Sequence, residues 1–526
     1  MMISDINDLG PTDVLSCDIC IIGSGAAGIT IAREFLNTPH SVIMLEGGGQ
    51  TFEPASQDPY QSEVVGLKHD GVTSGRVRVL GGTTTLWPGQ SLPFFDIDFA
   101  PRPWIEGSGW PLDRKTLWPF YQRAEQVLGL PHATYNASDL TSRADGVPTY
   151  RGKDILTYFS QFAPVPNFAQ KYRADLEAAP NIRLLLHANA VELRANLNAS
   201  AVDEVRVRSF QGKQLLVRAK IFIVCCGGIE TARLLLVSDS VEKTGIGNRF
   251  DIVGRYFQDH PGLAIPVRPL DRKRFNRWYD SFRVNGVRHC IKYAASDELQ
   301  QRERILNVGG EVFYPGSFVM TAAKLVVGVF RDPEARRHIF KSLLTVARRL
   351  QTVAQTSFFK RYVVGNLTSL VASQAHVGFS VEQAPNPQSR VTLSQQTDTL
   401  GMRRSIFEWK LTELEGRSIF VFAKSLADEW KQMGLAEFDP AALEVKGREH
   451  GQHGGFIDAS HHMGTTRMGT DPRSSVVDPT CRVHGYANLF IGSSSVFPTS
   501  GFSNPTLTMM ALCLRMADEI KEELKS

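Results

Sequence analysis

The sequence predicts an α/β fold: a Rossmann-like domain assembled from discontinuous segments, and a second, α+β domain carrying an antiparallel sheet. Three observations predict it. Cys17 to Gly49, CDICIIGSGAAGITIAREFLNTPHSVIMLEGGG, reads as strand, glycine turn, helix and strand. Two more glycine-bearing segments that run from strand to turn to helix, Ile221 to Leu236 and Asn488 to Leu507, lie far downstream. After Pro261 the composition shifts to mixed strand patterns with Phe-rich stretches. The expected division is 1–100, 181–261 and 446–526 for the first domain. The second, with a cap, takes 101–180 and 262–445, including a helical insert at about 331–362.

In the first segment, Ile19, Ile21 and Ile22 form an apolar run that ends at Gly23-Ser24-Gly25-Ala26-Ala27-Gly28. In such a G-x-G-x-x-G the first glycine permits the tight turn and the second lets backbone approach a pyrophosphate. The third lets the following helix, about Ala26 to Leu36, pack on the sheet. A second strand, Ser41 to Leu45, ends at Glu46, where a carboxylate can accept from ribose hydroxyls. The pyrophosphate would rest on amides at the helix N-terminus, where the dipole favours negative charge. Gly47-Gly48-Gly49 continues with bare backbone. One large cofactor held by such distant parts of a long chain points to FAD.

Gly71 to Phe95 holds too many small residues for a packed element and reads as an extended loop laid against a flat ligand. A helix follows at about Lys115 to Leu128, with Leu117, Phe120, Tyr121, Ala124 and Val127 at helical spacing. Residues 181–222 read as strands, LLLHANAVEL, VDEVRVRSF and KQLLVRAKIFIV, the last ending at Cys225-Cys226-Gly227-Gly228. Within the insert, Ile339, Leu343, Val346, Ala347, Leu350 and Val353 make one apolar face, and arginines and lysines crowd the rest. That pattern reads as a solvated helix over the site entrance.

Composition narrows the classes. Of 526 residues 42% are apolar and 21% charged, as in an ordinary globular protein, and a net charge of +4 argues against a nucleic-acid partner. No apolar run reaches the length of a membrane span, and the first residues lack a basic-then-apolar leader or a twin arginine, so a cytoplasmic protein is expected. Seven cysteines, an odd number, suit reduced thiols; Cys17-x-x-Cys20 flanks a strand and reads as packing.

The last hundred residues carry the reactive groups. His461-His462-Met463-Gly464-Thr465 places two histidines beside a glycine turn, and Asn488 to Ile491 is a strand that stops at Gly492. Asn504-Pro505-Thr506 then opens a long helix, with a polar residue before a proline at the first helical position. Its free amides and positive dipole could face the pyrimidine side of an isoalloxazine. His450, His453, His461 and His462 lie close in sequence, but without cysteine or standard ligand spacing, so no metal is expected.

In combination these segments resemble the glucose–methanol–choline (GMC) family of flavin oxidoreductases. The likeness is carried by Gly23–Gly28 with Glu46, Gly81-Gly82-Thr83, Ile223 to Leu236, Val253 to Pro261 and His461 to Leu507, and it is weakest at roughly 270–375. His461-His462-Met463-Gly464 and Ser108 to Leu112 look nearest the pyranose oxidase and sugar dehydrogenase branch. The resemblance implies oxidation of an alcohol by hydride transfer to flavin N5. His461, the first His of H-x-x-G-T, would be the base and Asn504 its helper, with His462 as the rival base. A free histidine base would give a rate that rises through the ordinary histidine pH range. The expected cofactor contacts are Gly23, Gly25, Ala26, Ala27, Gly28, Glu46, Gly47, Gly81, Gly82, Thr83, Val191, Gly227, Gly492, Asn504, Pro505 and Thr506. Pyranose oxidases attach the flavin through a histidine at the position of Leu86, so non-covalent FAD is expected here. The expected substrate is a small alcohol (a secondary hydroxyl of a sugar, glycoside or polyol), with O2, a quinone or another acceptor taking the electrons. A non-redox lyase of the same fold, and a flavin subunit that needs a partner, remain alternatives.

Overall fold

A computed structural model of the chain describes residues 3–10, 14–130, 135, 150–314, 374–448 and 455–525. The insert at 331–362 and the histidines at 450 and 453 lie outside the described residues.

The first sheet runs Ile3–Asp5, Ile182–Leu186, Val42–Leu45, Val14–Ile22, Gln214–Val224, Val202–Arg208, Asn189–Ala195. Its first five strands are parallel, as the strand–turn–helix segments require. Gln214–Val224 forks: its first half pairs antiparallel with Val202–Arg208 and its end pairs parallel with Leu489–Ile491. The strand run expected after Asn181 is interrupted at His187, whose positive φ turns the chain between two strands that go to opposite parts of the sheet. Helices Ala26–Glu34, Gly227–Val237 and Pro505–Glu523 each follow a parallel strand and bring their N-termini to one end of the sheet.

Two glycines fix this end. Gly23 has φ +107°, and a Cβ there would stand 2.6 Å from the Cys225 carbonyl oxygen. A Cβ on Gly28 would stand 1.9 Å from the Gly23 carbonyl oxygen, so the helix can lie on the turn only as glycine.

The second sheet is antiparallel, ordered Ala436–Glu437, Gly262–Pro269, Ala375–Val381, Val308–Phe313, Val287–Ala295, Ile155–Phe162, Gln90–Ser91. Helix Glu413–Gln432 covers it with Ile419, Phe422, Leu426 and Trp430, and starts at a capping box between Thr412 and Glu415. A third sheet joins Arg390–Thr397, Arg403–Trp409 and Glu63–Gly66.

Residues 101–180 serve both large cores. Helices Arg114–Leu128 and Phe168–Ala178 bury Leu117, Tyr121, Phe168 and Leu176 with the first sheet, whereas Ile155–Phe162 is a strand of the second.

Gly28→Ala is expected to destabilise the protein by at least about 3 kcal/mol, the upper end of ordinary overpacking, because the clash is with backbone. An unchanged thermal midpoint would contradict this placement of the helix.

Candidate functional site

The strand ends of the first sheet open into an elongated cavity. Gly23, Gly25, Ala26, Ala27, Glu46 and Gly47 line it from the first segment, Gly82 and Thr83 from the loop, and Gly227, Gly492, Pro505 and Thr506 from the later segments. His461 and His462 lie on the same wall. The loop from Gly71 to Phe95 is laid along the cavity as expected, with Arg76, Arg78, Leu86 and Trp87 facing it. Four expected contacts sit differently. Gly28 packs beneath the turn, and Gly81, at φ +89°, donates its N–H to the Ser24 carbonyl at 3.1 Å. Asn504 turns to His461. Val191 packs its side chain into the first core, and the wall there is made by Ala188, Asn189 and Ala190.

The residues present fit FAD. A Cβ on Gly25 would meet nothing within 4 Å, so bare backbone faces the cavity where a pyrophosphate would approach. Gly82 backs onto it: a Cβ there would stand 2.9 Å from the Gly25 Cα. Glu46 is buried at the end of its strand, accepting from Ser24 Oγ at 2.6 Å and from the Gly48 N–H at 2.8 Å. Burial pushes its carboxyl up, and the Ser24 hydrogen bond opposes this. Arg78 Nε and His462 Nε2 are buried on this wall without hydrogen-bond partners among the described residues.

Charge holds the adjoining wall. Arg76 pairs with Glu230 at 3.0 Å, and Arg233, fully buried, pairs with Glu230 at 3.2 Å and Asp398 at 2.6 Å. Each charge in this chain has a partner, as burial requires. No sequence signal marks it, because its members lie in three distant segments.

At the far end His461 and Asn504 come together: Asn504 Nδ2 lies 3.4 Å from His461 Nε2. Asn504 occupies the N-cap of Pro505–Glu523 but makes no side-chain cap there, so its amide remains turned toward His461. His260, which the sequence left without a role, places Nδ1 at 2.9 Å from His461 Nδ1 and Nε2 at 3.1 Å from the Ser500 carbonyl oxygen. Asp259 is buried beside them. Its Oδ1 accepts from the backbone N–H of His260 at 2.6 Å, His461 at 3.0 Å and Ala459 at 3.3 Å, and its Oδ2 accepts from His69 Nε2 at 2.8 Å. His69, Asp259 and His462 hold potential ligand atoms within 4.8 Å of one another. Both Asp259 oxygens are already taken by N–H donors, so the group reads as a hydrogen-bonded cluster.

Burial, then the neighbouring His260, pushes His461 down to about 3. Burial also lowers His260 and His462. His461 is therefore a neutral imidazole throughout the neutral range. Asp259 moves the other way from most buried acids. Burial would raise it, but the His69 hydrogen bond and the neighbouring imidazoles outweigh that and hold it well below the usual carboxylate range.

From the second sheet, Lys292 pairs with Glu311 at 3.3 Å, and Gln90 Nε2 reaches Glu311 at 3.3 Å and Ser160 Oγ at 2.8 Å. Gly309, on the same strand face as Glu311, is pressed by the Phe502 ring, which ties this polar face to the segment that carries Asn504. All seven cysteines are free thiols, and burial pushes Cys17 and Cys226 up to about 12, which leaves them unreactive. No helix among the described residues is long and apolar enough to cross a membrane.

Comparison with known proteins agrees with this fold. Residues 385–513 match a family described as GMC oxidoreductase. The fructose dehydrogenase large subunit of Gluconobacter japonicus is 24% identical over 98% of this chain and 99% of its own length. The 6'''-hydroxyparomomycin C oxidase of Streptomyces lividus is 25% identical over 96% of this chain and 92% of its own. The solved structure of a fungal aryl-alcohol oxidase superposes with a TM-score of 0.61 at 16% identity, covering 98% of this chain and 100% of that one.

Stability should fall as the site is acidified. An unfolded histidine takes up a proton near pH 6.5, whereas folded His461 does so only near 3. Between these values unfolding consumes a proton, so each such histidine removes about 1.4 kcal/mol of stability per pH unit as pH falls, and none above pH 6.5. Thermal unfolding of the holoprotein across this range should show the loss, and replacing His461 by Asn should reduce its slope. A midpoint independent of pH between 6.5 and 4 would contradict a buried neutral pair.

Proposed function

We propose that the chain, whose residues 385–513 match the GMC oxidoreductase family, binds FAD and oxidises a secondary hydroxyl of a sugar, glycoside or polyol to a carbonyl, with His461 as general base. The observation that carries this reading is the pairing of a neutral His461 with Asn504 on the cavity wall, beside the N-terminus of Pro505–Glu523.

FAD, when bound, supplies the hydride acceptor. Gly23, Gly25, Glu46 and Gly47 would hold its adenosine and pyrophosphate, and Gly82, Thr83, Gly492, Pro505 and Thr506 would flank the rest. Leu86 on the wall offers no nucleophile, which supports a non-covalent cofactor. His461 Nε2 takes the hydroxyl proton while the carbon gives up its hydride. Without that transfer the product would be a protonated carbonyl. Asn504 Nδ2–H donates to the same substrate oxygen as its negative charge grows. The Gln90, Lys292 and Glu311 cluster offers donors and an acceptor suited to the further hydroxyls of a polyol. Relatives named for fructose and for 6'''-hydroxyparomomycin C align over nearly the whole chain, which supports a polyhydroxylated substrate.

Anaerobic stopped-flow on three variants tests the assignment. His461→Ala should keep FAD yet slow its reduction by about 10²–10⁴, the usual worth of general-base catalysis. Asn504→Ala should cost less, because the base remains. His462→Ala should be mild: its ring lies beside His69 and Phe257, with centroids at 5.3 and 5.9 Å, and makes no contact with Asn504. The wild-type rate should be flat across neutral pH. A severe His462→Ala with a mild His461→Ala would transfer the role to His462.

A further inference from the structure

Resting on the reading of His461 as the base, we infer that His260 is a positioning residue that fixes the tautomer of His461, leaving Nε2 bare for the substrate proton. The inference follows from which atoms can donate. The Ser500 carbonyl oxygen can only accept, so His260 Nε2, 3.1 Å away, carries a hydrogen. A neutral His260 then has its lone pair on Nδ1. That nitrogen lies 2.9 Å from His461 Nδ1, and two lone pairs cannot share a hydrogen bond, so His461 Nδ1 is the one that carries hydrogen. The remaining nitrogen of His461, Nε2, is unprotonated and faces Asn504 at 3.4 Å.

The alternative, a doubly protonated His260 donating to His461 Nδ1, would place a cation in a residue only 1% exposed. No carboxylate is free to neutralise it. Asp259 gives Oδ1 to three backbone N–H groups and Oδ2 to His69, and Asp458 contacts the Asp70, Gly71 and Ser460 N–H groups. Lys292 acts on both rings and opposes a second positive charge. The two rings stand nearly perpendicular, with centroids 4.9 Å apart, so the hydrogen bond rather than stacking sets their relation. A chain of three acceptors (carbonyl, His260, His461) thus passes a fixed polarity from the backbone of Ser500 to the reacting end. Without His260, nothing on that side keeps the hydrogen on Nδ1, and the other tautomer would aim an N–H at the substrate.

The direct test is the tautomer itself, read from the ring-nitrogen chemical shifts of ¹⁵N-histidine-labelled holoprotein. The His461 signals are assigned by their loss in His461→Gln. The expected result is a protonated Nδ1 and an unprotonated Nε2 at neutral pH. A protonated Nε2 in the wild-type protein would overturn the inference. His260→Leu, which keeps bulk but removes the acceptor, should slow flavin reduction by roughly 10²-fold without changing substrate affinity, the scale of a general base held in the wrong tautomer. His260→Asn, whose Oδ1 can stand where Nδ1 stood, should recover most of that loss. Equal rates in the Leu and Asn variants, both still carrying FAD, would also overturn it. The nitrogen shifts do not depend on turnover. A protein with the expected tautomer whose flavin no alcohol reduces would therefore contradict the proposed function and leave the role of His260 intact.

Discussion

The site is organised by one buried carboxylate. Asp259 sits where four separate stretches of chain meet, and its two oxygens accept from His69, His260, Ala459 and His461. Its own backbone N–H donates to Gln383 Oε1, which also accepts from Trp409 Nε1, and the Gln383 N–H reaches Ser500 Oγ at 3.1 Å. The third sheet, the second sheet and the C-terminal segment are thereby tied to the histidine pair. A hydrogen bond to a charged group contributes about 1.5–3 kcal/mol, and an orphaned buried donor costs a comparable amount. Four such donors, three on Oδ1 and one on Oδ2, offset the cost of burying this carboxylate. Its two backbone bonds to His260 and His461 set where both rings begin.

The same dry surroundings keep His461 a neutral imidazole at neutral pH. The lowered pKa keeps the ring neutral and ready to accept a proton at neutral pH, at the cost of making it a weaker base. The same dryness would let the ring adopt either tautomer, and the His260–Ser500 contact removes that freedom. Asn504, at the N-cap but making no side-chain cap bond, reaches His461 from the helix side.

Much of the fold was legible because it is locally encoded. Gly23, Gly25 and Gly28 are needed where the strand turns into its helix, and Pro505 marks the start of the last helix; both signals lie within a few residues. The parallel sheet followed from them, whereas the pairing of His461 with Asn504 was implied by the family resemblance. What could not be read is contact between distant segments. His260 stands within a recognisable Gln258-Asp259-His260-Pro261 stretch, yet only the fold shows it 2.9 Å from a ring 201 residues away. Ser24 as the partner of Glu46, and the buried Arg76–Glu230–Arg233–Asp398 chain, were hidden for the same reason. Val191 was placed on the cavity, but its neighbours Ala188 to Ala190 form the wall, because the strand that begins at Asn189 carries Val191 into the core. Residues 101–180 read as one unit and divide between two cores, since their helices follow the first sheet while their strand pairs in the second.

The central claim is that an alcohol gives up a hydride and a proton at the His461 end of the cavity. Anaerobic titration of the yellow holoprotein with a panel of sugars, glycosides and simple polyols measures this directly through the flavin absorbance. The account predicts that at least one polyhydroxylated compound bleaches the oxidised flavin stoichiometrically and appears as its carbonyl product. A flavin that stays oxidised with every member of the panel, while still reducible by dithionite, would contradict it.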